Sequence, residues 1–270
     1  MKELFFISGL PRSGSTLLSD LLSQNDDFYT SPTSGLIDMI KLVKNNWNAN
    51  EHFKSSFEID QINEMLSGMP QSFYSNKSEN IIFDKSRAWT GAVPLANLLS
   101  QGGKAKIIVT VRKVTDIISS FEKMYRKNAH NFTLPQAKSD PAKFNTLAGR
   151  CESWVSAAGI IGSCYTLILE AIKTGYLDNF LFVDYDNLCI DPDGELKRIY
   201  NFIGKEWSAN VHQYKNVLST HYEYEIARGF PQSLHQIRSE VKPQKSDAIK
   251  ILGKELFEKY SNSEFWSEYI

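Results

Sequence analysis

Short apolar runs, each closed by turn or polar residues, recur along the chain at Leu4–Ser8, Ile81–Asp84, Ile107–Val111 and Phe180–Asp184. A short run that is apolar at successive positions, rather than alternating, predicts a strand buried on both faces, as in a parallel sheet. Between the runs the spacing becomes helical. Ser15–Ser23 (STLLSDLLS) follows the first strand directly, Gly91–Leu99 follows the second and Thr115–Arg126 the third, while a long helical stretch from Asn145 to Lys173 precedes the fourth. This alternation predicts an α/β fold: a P-loop-like parallel sheet of about four to five strands, in right-handed βαβ units with helices on both faces.

After the fourth strand, IDPDGELKRIYNFIG offers Asp191 as a helix cap, Pro192 in the first turn and Gly204 as the stop. Its DPDG lacks the further ligands of a calcium loop at loop spacing, so capping is the better reading. Residues 45–78 are polar with scattered aromatics (Trp47, Phe53, Phe57, Phe73, Tyr74) and read as an irregular insertion over the sheet edge. With no internal repeat or low-complexity tract, residues 1–270 read as a single domain with a C-terminal basic loop around 235–245.

Composition narrows the class. At 42% apolar and 23% charged residues the chain is globular rather than disordered, fibrous or membrane-embedded. Thirty basic residues against 31 acidic ones leave no whole-molecule field to draw it onto nucleic acid. Cys151, Cys164 and Cys189 form no CxxC pair, which argues against a disulfide framework or a zinc site and for a reducing, cytoplasmic setting. The apolar start LFFISGL follows Glu3 and is cut short by Gly9, Pro11 and Arg12, too short for a signal-peptide core. No apolar run approaches the roughly 18 residues of a transmembrane segment.

The first strand runs into GLPRSGST, Gly9 to Thr16. This fits the phosphate-loop pattern G-x-x-x-x-G-K-[ST] except that Ser15 stands where the pattern demands lysine. Strand, glycine-bounded turn and immediate helix aim several backbone N–H groups and a positive helix end at one point, which is an anion site. In an ATP or GTP site the lysine meets the β- and γ-phosphates; here the loop's only cation is Arg12. A shorter anionic chain suits such a loop. Sulfonyl transfer from 3′-phosphoadenosine 5′-phosphosulfate presents one, a phosphate plus a sulfonate, and requires no bridging metal.

PRSGST after an apolar strand resembles the 5′-phosphosulfate loop of the sulfotransferase family, P-[KR]-S-G-[TS]-[TS], and with Leu17 is most similar to the tyrosylprotein-type and related bacterial members. The resemblance implies that Pro11, Arg12, Ser13, Gly14, Ser15 and Thr16 bind the cofactor, with Arg12 also serving catalysis. In KIIVTVRKVTDIISSF, Arg112 at a strand end and Ser120 in the next helix resemble the family's 3′-phosphate motif. Lys85, in DKSRAW, falls where the family keeps a lysine that stabilises the departing phosphate. Tyr185 matches a tyrosine near the cofactor, and Arg238, in HQIRSEVKPQK, matches the late basic loop that returns a cation to the 3′-phosphate. The implied activity is a metal-free sulfotransferase acting on a hydroxyl-bearing acceptor: small molecule, sugar or protein tyrosine.

The family's two general-base positions hold Arg87 and Thr33, neither of which serves as a base in its usual state. His130, Asp38 and Asp84 are the conceivable substitutes. Two other functions compete: a small-molecule or nucleotide kinase with a degenerate loop, for which Asp84 and Asp184 would be the magnesium ligands, and a silent binder of adenosine 3′,5′-bisphosphate. Histidines 52, 130, 212, 221 and 235 show no HExxH spacing, and no GxGxxG turn occurs, so a metal centre and a nicotinamide cofactor are not expected.

Overall fold

The computed structural model describes residues 2–56, 58–100, 103–127, 141–217 and 240–270. His130 and Arg238 lie outside the described residues. The four expected strands are present, as β1 (Glu3–Gly9), β3 (Ile81–Lys85), β4 (Ile107–Val111) and β5 (Phe180–Asp184), joined by a fifth, β2 (Phe28–Thr30). They form one parallel sheet in the order β2-β3-β1-β4-β5.

The unbroken apolar runs are explained by the two cores. Successive side chains of a strand point to opposite faces, and in β1 Leu4 and Phe6 enter one cluster while Phe5 and Ile7 enter the other. In β4, Ile107, Val109 and Val111 face the first cluster and Ile108 the second. The second face is covered by α1 (Ser15–Leu22), and later by two helices that follow β5. The first face is covered by α2 (Leu36–Ala49), α4 (Ile59–Phe73), α5 (Val93–Leu99) and α6 (Val114–Lys127), with the short α3 (Glu51–Ser56) between the first two. Further cover on that face comes from α7 (Leu147–Val155) and α8 (Gly162–Lys173). The pair following β5 is α9 (Tyr185–Ile190) and α10 (Pro192–Ile203).

Two expectations change. Residues 45–78 are mostly helical, not irregular: Glu58 and Gln61 form a capping box that starts α4, and Ile62, Leu66 and Pro70 make its buried stripe. A narrow stripe in a polar sequence was too weak a periodic signal. The stretch from Asn145 to Lys173 is two helices, because Gly159 and Gly162 each press a Cα against the carbonyls of the preceding turn. A Cβ on Gly159 would lie 2.2 Å from Ser153 O. The edge strand β2 has only three residues, which is too few for a pattern. The cap at Asp191 is as expected: its carboxylate accepts from Gly194 N at 3.0 Å, and Gly204 ends α10 with φ 74°.

Candidate active site

Strand order places the site. β1 is central, its neighbours β3 and β4 come from opposite directions of winding, and ligands of open α/β sheets bind beyond the carboxyl ends of strands at such a switch. Register brings four of those ends together: Ile7 lies beside Lys85, Gly9 beside Thr110, and Val111 beside Asp184.

The Gly9–Thr16 loop is held by backbone that tolerates no side chain at its glycines. Gly9 has φ 126°, and a Cβ there would lie 2.1 Å from Thr110 O. Gly14 has φ 89°, and a Cβ there would lie 2.5 Å from Cδ2 of Tyr185. Between them Arg12 adopts φ 59°, a left-handed conformation that costs a non-glycine residue energy and collects at functional sites. Gly14 precedes α1, and among the described residues no side chain caps that helix, so its first amides are open to an anion.

The loop residues divide their work. Ser13 is buried, its hydroxyl 2.5 Å from Leu10 O and 2.7 Å from Thr110 Oγ1, so its side chain fastens the loop to β4 and only its amide is available to a ligand. Pro11 is buried and has no N–H; it shapes the turn. Arg12 reaches across to α6, its Nε donating to Ser120 Oγ at 3.2 Å. Loop and third-strand motif therefore meet in one place.

Arg112, directly after β4, lays its guanidinium over the Tyr185 ring, with Cζ 4.3 Å from the centroid. Its buried Nε has no hydrogen-bond partner among the described residues. A buried guanidinium N–H without an acceptor is costly, and here it lies in the same cluster as Gly14, Tyr185 and the loop. Asp186 stands nearby. Its carboxyl is pushed up by burial and by Asp184, against the pull of Arg112 and Lys113. Asp184 itself caps α9, accepting from Asp186 N at 2.8 Å and Asn187 N at 3.2 Å.

Lys85 ends β3 and is buried. Its backbone is fixed on both sides, N donating to Ser31 Oγ at 2.7 Å and O accepting from Ser34 N at 2.8 Å. The preceding Asp84 is fully buried: Oδ2 accepts from the Tyr74 hydroxyl at 2.5 Å and Oδ1 from Trp89 Nε1 at 2.7 Å. Burial drives its carboxyl upward despite those donors. Asp84, sealed with both oxygens engaged, does not offer the magnesium ligand a kinase needs, and Asp184 spends Oδ1 on capping a helix. Among the described residues no cluster of three or more His, Cys, Asp or Glu is arranged to hold a metal.

Thr33, Asp38 and Arg87 are exposed. Just past the expected basic loop, the chain docks on the helix that carries Ser120. Ser246 Oγ donates to Asp116 Oδ1, and Ser119 Oγ and Lys123 Nζ each donate to Asp247 Oδ1 at 3.0 Å. Thr110, Ser31, Ser34, Tyr74 and Trp89 escaped the sequence reading. Only Trp89, in DKSRAW beside Lys85, carried a local signal.

A family model described as "Sulfotransferase domain" matches residues 2–265. Among solved structures, the sulfotransferase domain of the Synechococcus PCC 7002 olefin synthase is 18% identical, with 96% of this chain and 94% of that chain covered at a TM-score of 0.51. The sulfotransferase domain from the curacin biosynthetic pathway is 16% identical over 78% of this chain and 77% of that one, TM-score 0.51. Retinol dehydratase, in a complex with retinol and PAP, is 15% identical over 100% of this chain and 81% of that one, TM-score 0.51. At these identities the likeness is one of fold. No curated protein matches the chain in sequence.

Proposed function

The chain belongs to the sulfotransferase domain family, and from that premise we propose how its own residues divide the transfer of a sulfonyl group to an acceptor hydroxyl. The co-substrate is 3′-phosphoadenosine 5′-phosphosulfate, which supplies the sulfonyl group and accepts the electrons of the breaking bond. Arg12 and the amides of residues 12–16 hold the 5′-phosphosulfate at the uncapped start of α1. Arg112 and Ser120 hold the 3′-phosphate, and the Tyr185 ring keeps the Arg112 fork in plane. Lys85 directs its charge at the leaving oxygen, where negative charge grows as the bond breaks. Arg238 adds a cation to the 3′-phosphate.

The observation that carries this reading is the orphaned, buried Nε of Arg112 beside a lysine-free loop. It supports an extra anionic group next to the one in the loop, which a 3′-phosphate provides and an ordinary nucleoside triphosphate does not. The acceptor is a hydroxyl of a small molecule, a sugar or a protein tyrosine. The buried thiols of Cys151 and Cys164, in no disulfide among the described residues, support a cytoplasmic setting, and among the described residues no helix is long and apolar enough to cross a membrane.

The test is transfer of labelled sulfate from the co-substrate to a panel of hydroxyl acceptors with chelator present. Transfer to at least one acceptor is expected. Transfer of labelled phosphate from ATP instead, dependent on magnesium, would replace this reading with a kinase.

A further inference from the structure

The carboxyl of Asp84 belongs to no step above, yet it is the most enclosed ionisable group beside the site. It is 0% exposed and lies immediately before Lys85. Buried carboxyls are costly and persist where they are satisfied by donors or serve a purpose. Among the described residues Asp84 has no ion pair; its partners are the Tyr74 hydroxyl, just past α4, the Trp89 indole, just past β3, and the Ser34 side chain.

These contacts lead to Lys85 from both sides. The Tyr74 oxygen lies 3.4 Å from Ser34 Oγ, which accepts Leu36 N at 3.0 Å and so closes the turn into α2. Ser34 N donates to Lys85 O at 2.8 Å, Ser31 N to Phe83 O at 2.9 Å, and Lys85 N to Ser31 Oγ at 2.7 Å. The segment from Ser31 to Leu36 is thus stitched along the end of β3, with Tyr74 and Asp84 as its outer anchor. On the other side Trp89 packs on Phe6, ring centroids 4.5 Å apart, and its turn is pinned to β1 by Ser86 N donating to Ile7 O at 3.0 Å and Ser8 Oγ donating to Arg87 O at 3.1 Å. One carboxylate therefore joins three stretches of chain that frame Lys85: the turn with Thr33, the turn with Arg87, and the end of α4.

We propose that Asp84, through Tyr74 and Trp89, is a positioning residue that fixes Lys85 and the two turns flanking it, rather than the missing general base. With both oxygens engaged and no exposed surface, it has no path to an acceptor proton. The proposal rests on the role given to Lys85 above.

Three variants test it: Tyr74→Phe, Asp84→Asn and Asp84→Ala. In Asp84→Asn the side-chain oxygen still accepts from Trp89, the amide donates to the Tyr74 oxygen, and the phenol proton turns to Ser34. That variant is expected to keep most of kcat and the acid limb of the pH profile. Tyr74→Phe and Asp84→Ala are expected to lower kcat by about ten- to a hundredfold, the scale of a misplaced reacting group, while the melting shift given by adenosine 3′,5′-bisphosphate stays as in the wild type. Amide hydrogen exchange at Ser34, Leu36 and Lys85 should quicken in Tyr74→Phe. Loss of the acid limb in Asp84→Asn would make Asp84 the base and overturn the proposal. Unchanged kcat in both other variants would also overturn it, as would unchanged exchange or a fall in bisphosphate affinity matching the fall in turnover. The exchange measurement needs no activity, so a wild type that neither binds the bisphosphate nor transfers sulfate would sink the sulfotransferase assignment and leave the brace to be judged by exchange alone.

Discussion

The two cations proposed for the centre of the site are held in different ways. Lys85 sits in regular strand with its backbone bonded to Ser31 and Ser34, whereas Arg12 occupies a left-handed conformation and ties its guanidinium to Ser120. A charge aimed at a leaving oxygen matters once the bond is breaking, so Lys85→Ala should lower turnover far more than bisphosphate affinity, by on the order of a hundredfold in kcat. Steady-state kinetics beside a binding titration would check this, and equal losses in both would remove Lys85 from that role. At this scale legibility follows sequence distance. Arg12, Lys85, Arg112 and Ser120 stand in short motifs at strand ends, where residue type and spacing speak for themselves. The Tyr74–Asp84 pair and the Ser34–Lys85 stitch depend on which segments the fold places side by side, which no local pattern encodes. Tyr185 was legible as a position but not as the platform beneath Arg112.

Among the elements, α1 matters most because its open end faces the proposed anion site and its far end must be held. His212 holds it: Nδ1–H donates to Leu21 O at 2.9 Å, and Nε2 accepts from the Tyr200 hydroxyl at 3.0 Å, which joins α1 to α10. The ring stacks on Trp207 with centroids 5.1 Å apart. Burial holds the imidazole below its ordinary value, against the opposing pull of Leu21 O and Asp193. The unfolded chain therefore takes up a proton near pH 6.5, the ordinary histidine value, that the native ring refuses, and stability falls as pH drops from about 6.5 towards the lower native value. Melting temperature against pH should show this fall in the wild type, and His212→Gln should lose that slope while melting lower throughout. An identical slope in the variant would assign the effect to other groups. The strands β1, β3, β4 and β5 were readable because burial on both faces demands unbroken apolar runs. β2 was not, since three residues at an edge carry no periodicity. The α4 helix was hidden because its buried stripe of Ile62, Leu66 and Pro70 is thin within a polar sequence.

For the whole molecule, two cores clamp one parallel sheet and leave its carboxyl ends to do chemistry. A net charge of -1 gives no general attraction for anions, so anion binding must come from the local arrangement of Arg12, Arg112, Lys85 and the start of α1. The central claim is that this arrangement is built for a 3′-phosphate beside a 5′-phosphosulfate, and thermal unfolding with adenosine 3′,5′-bisphosphate against AMP, without magnesium, tests it most directly. A ligand at about a hundredfold excess over its dissociation constant adds roughly 2.7 kcal/mol, and about 2–4 °C per kcal/mol is expected for a chain of this size. The bisphosphate should raise the melting temperature by several degrees and AMP by much less, and Arg112→Ala should erase most of the difference. A larger shift with ATP and magnesium than with the bisphosphate, abolished by chelator, would contradict the account.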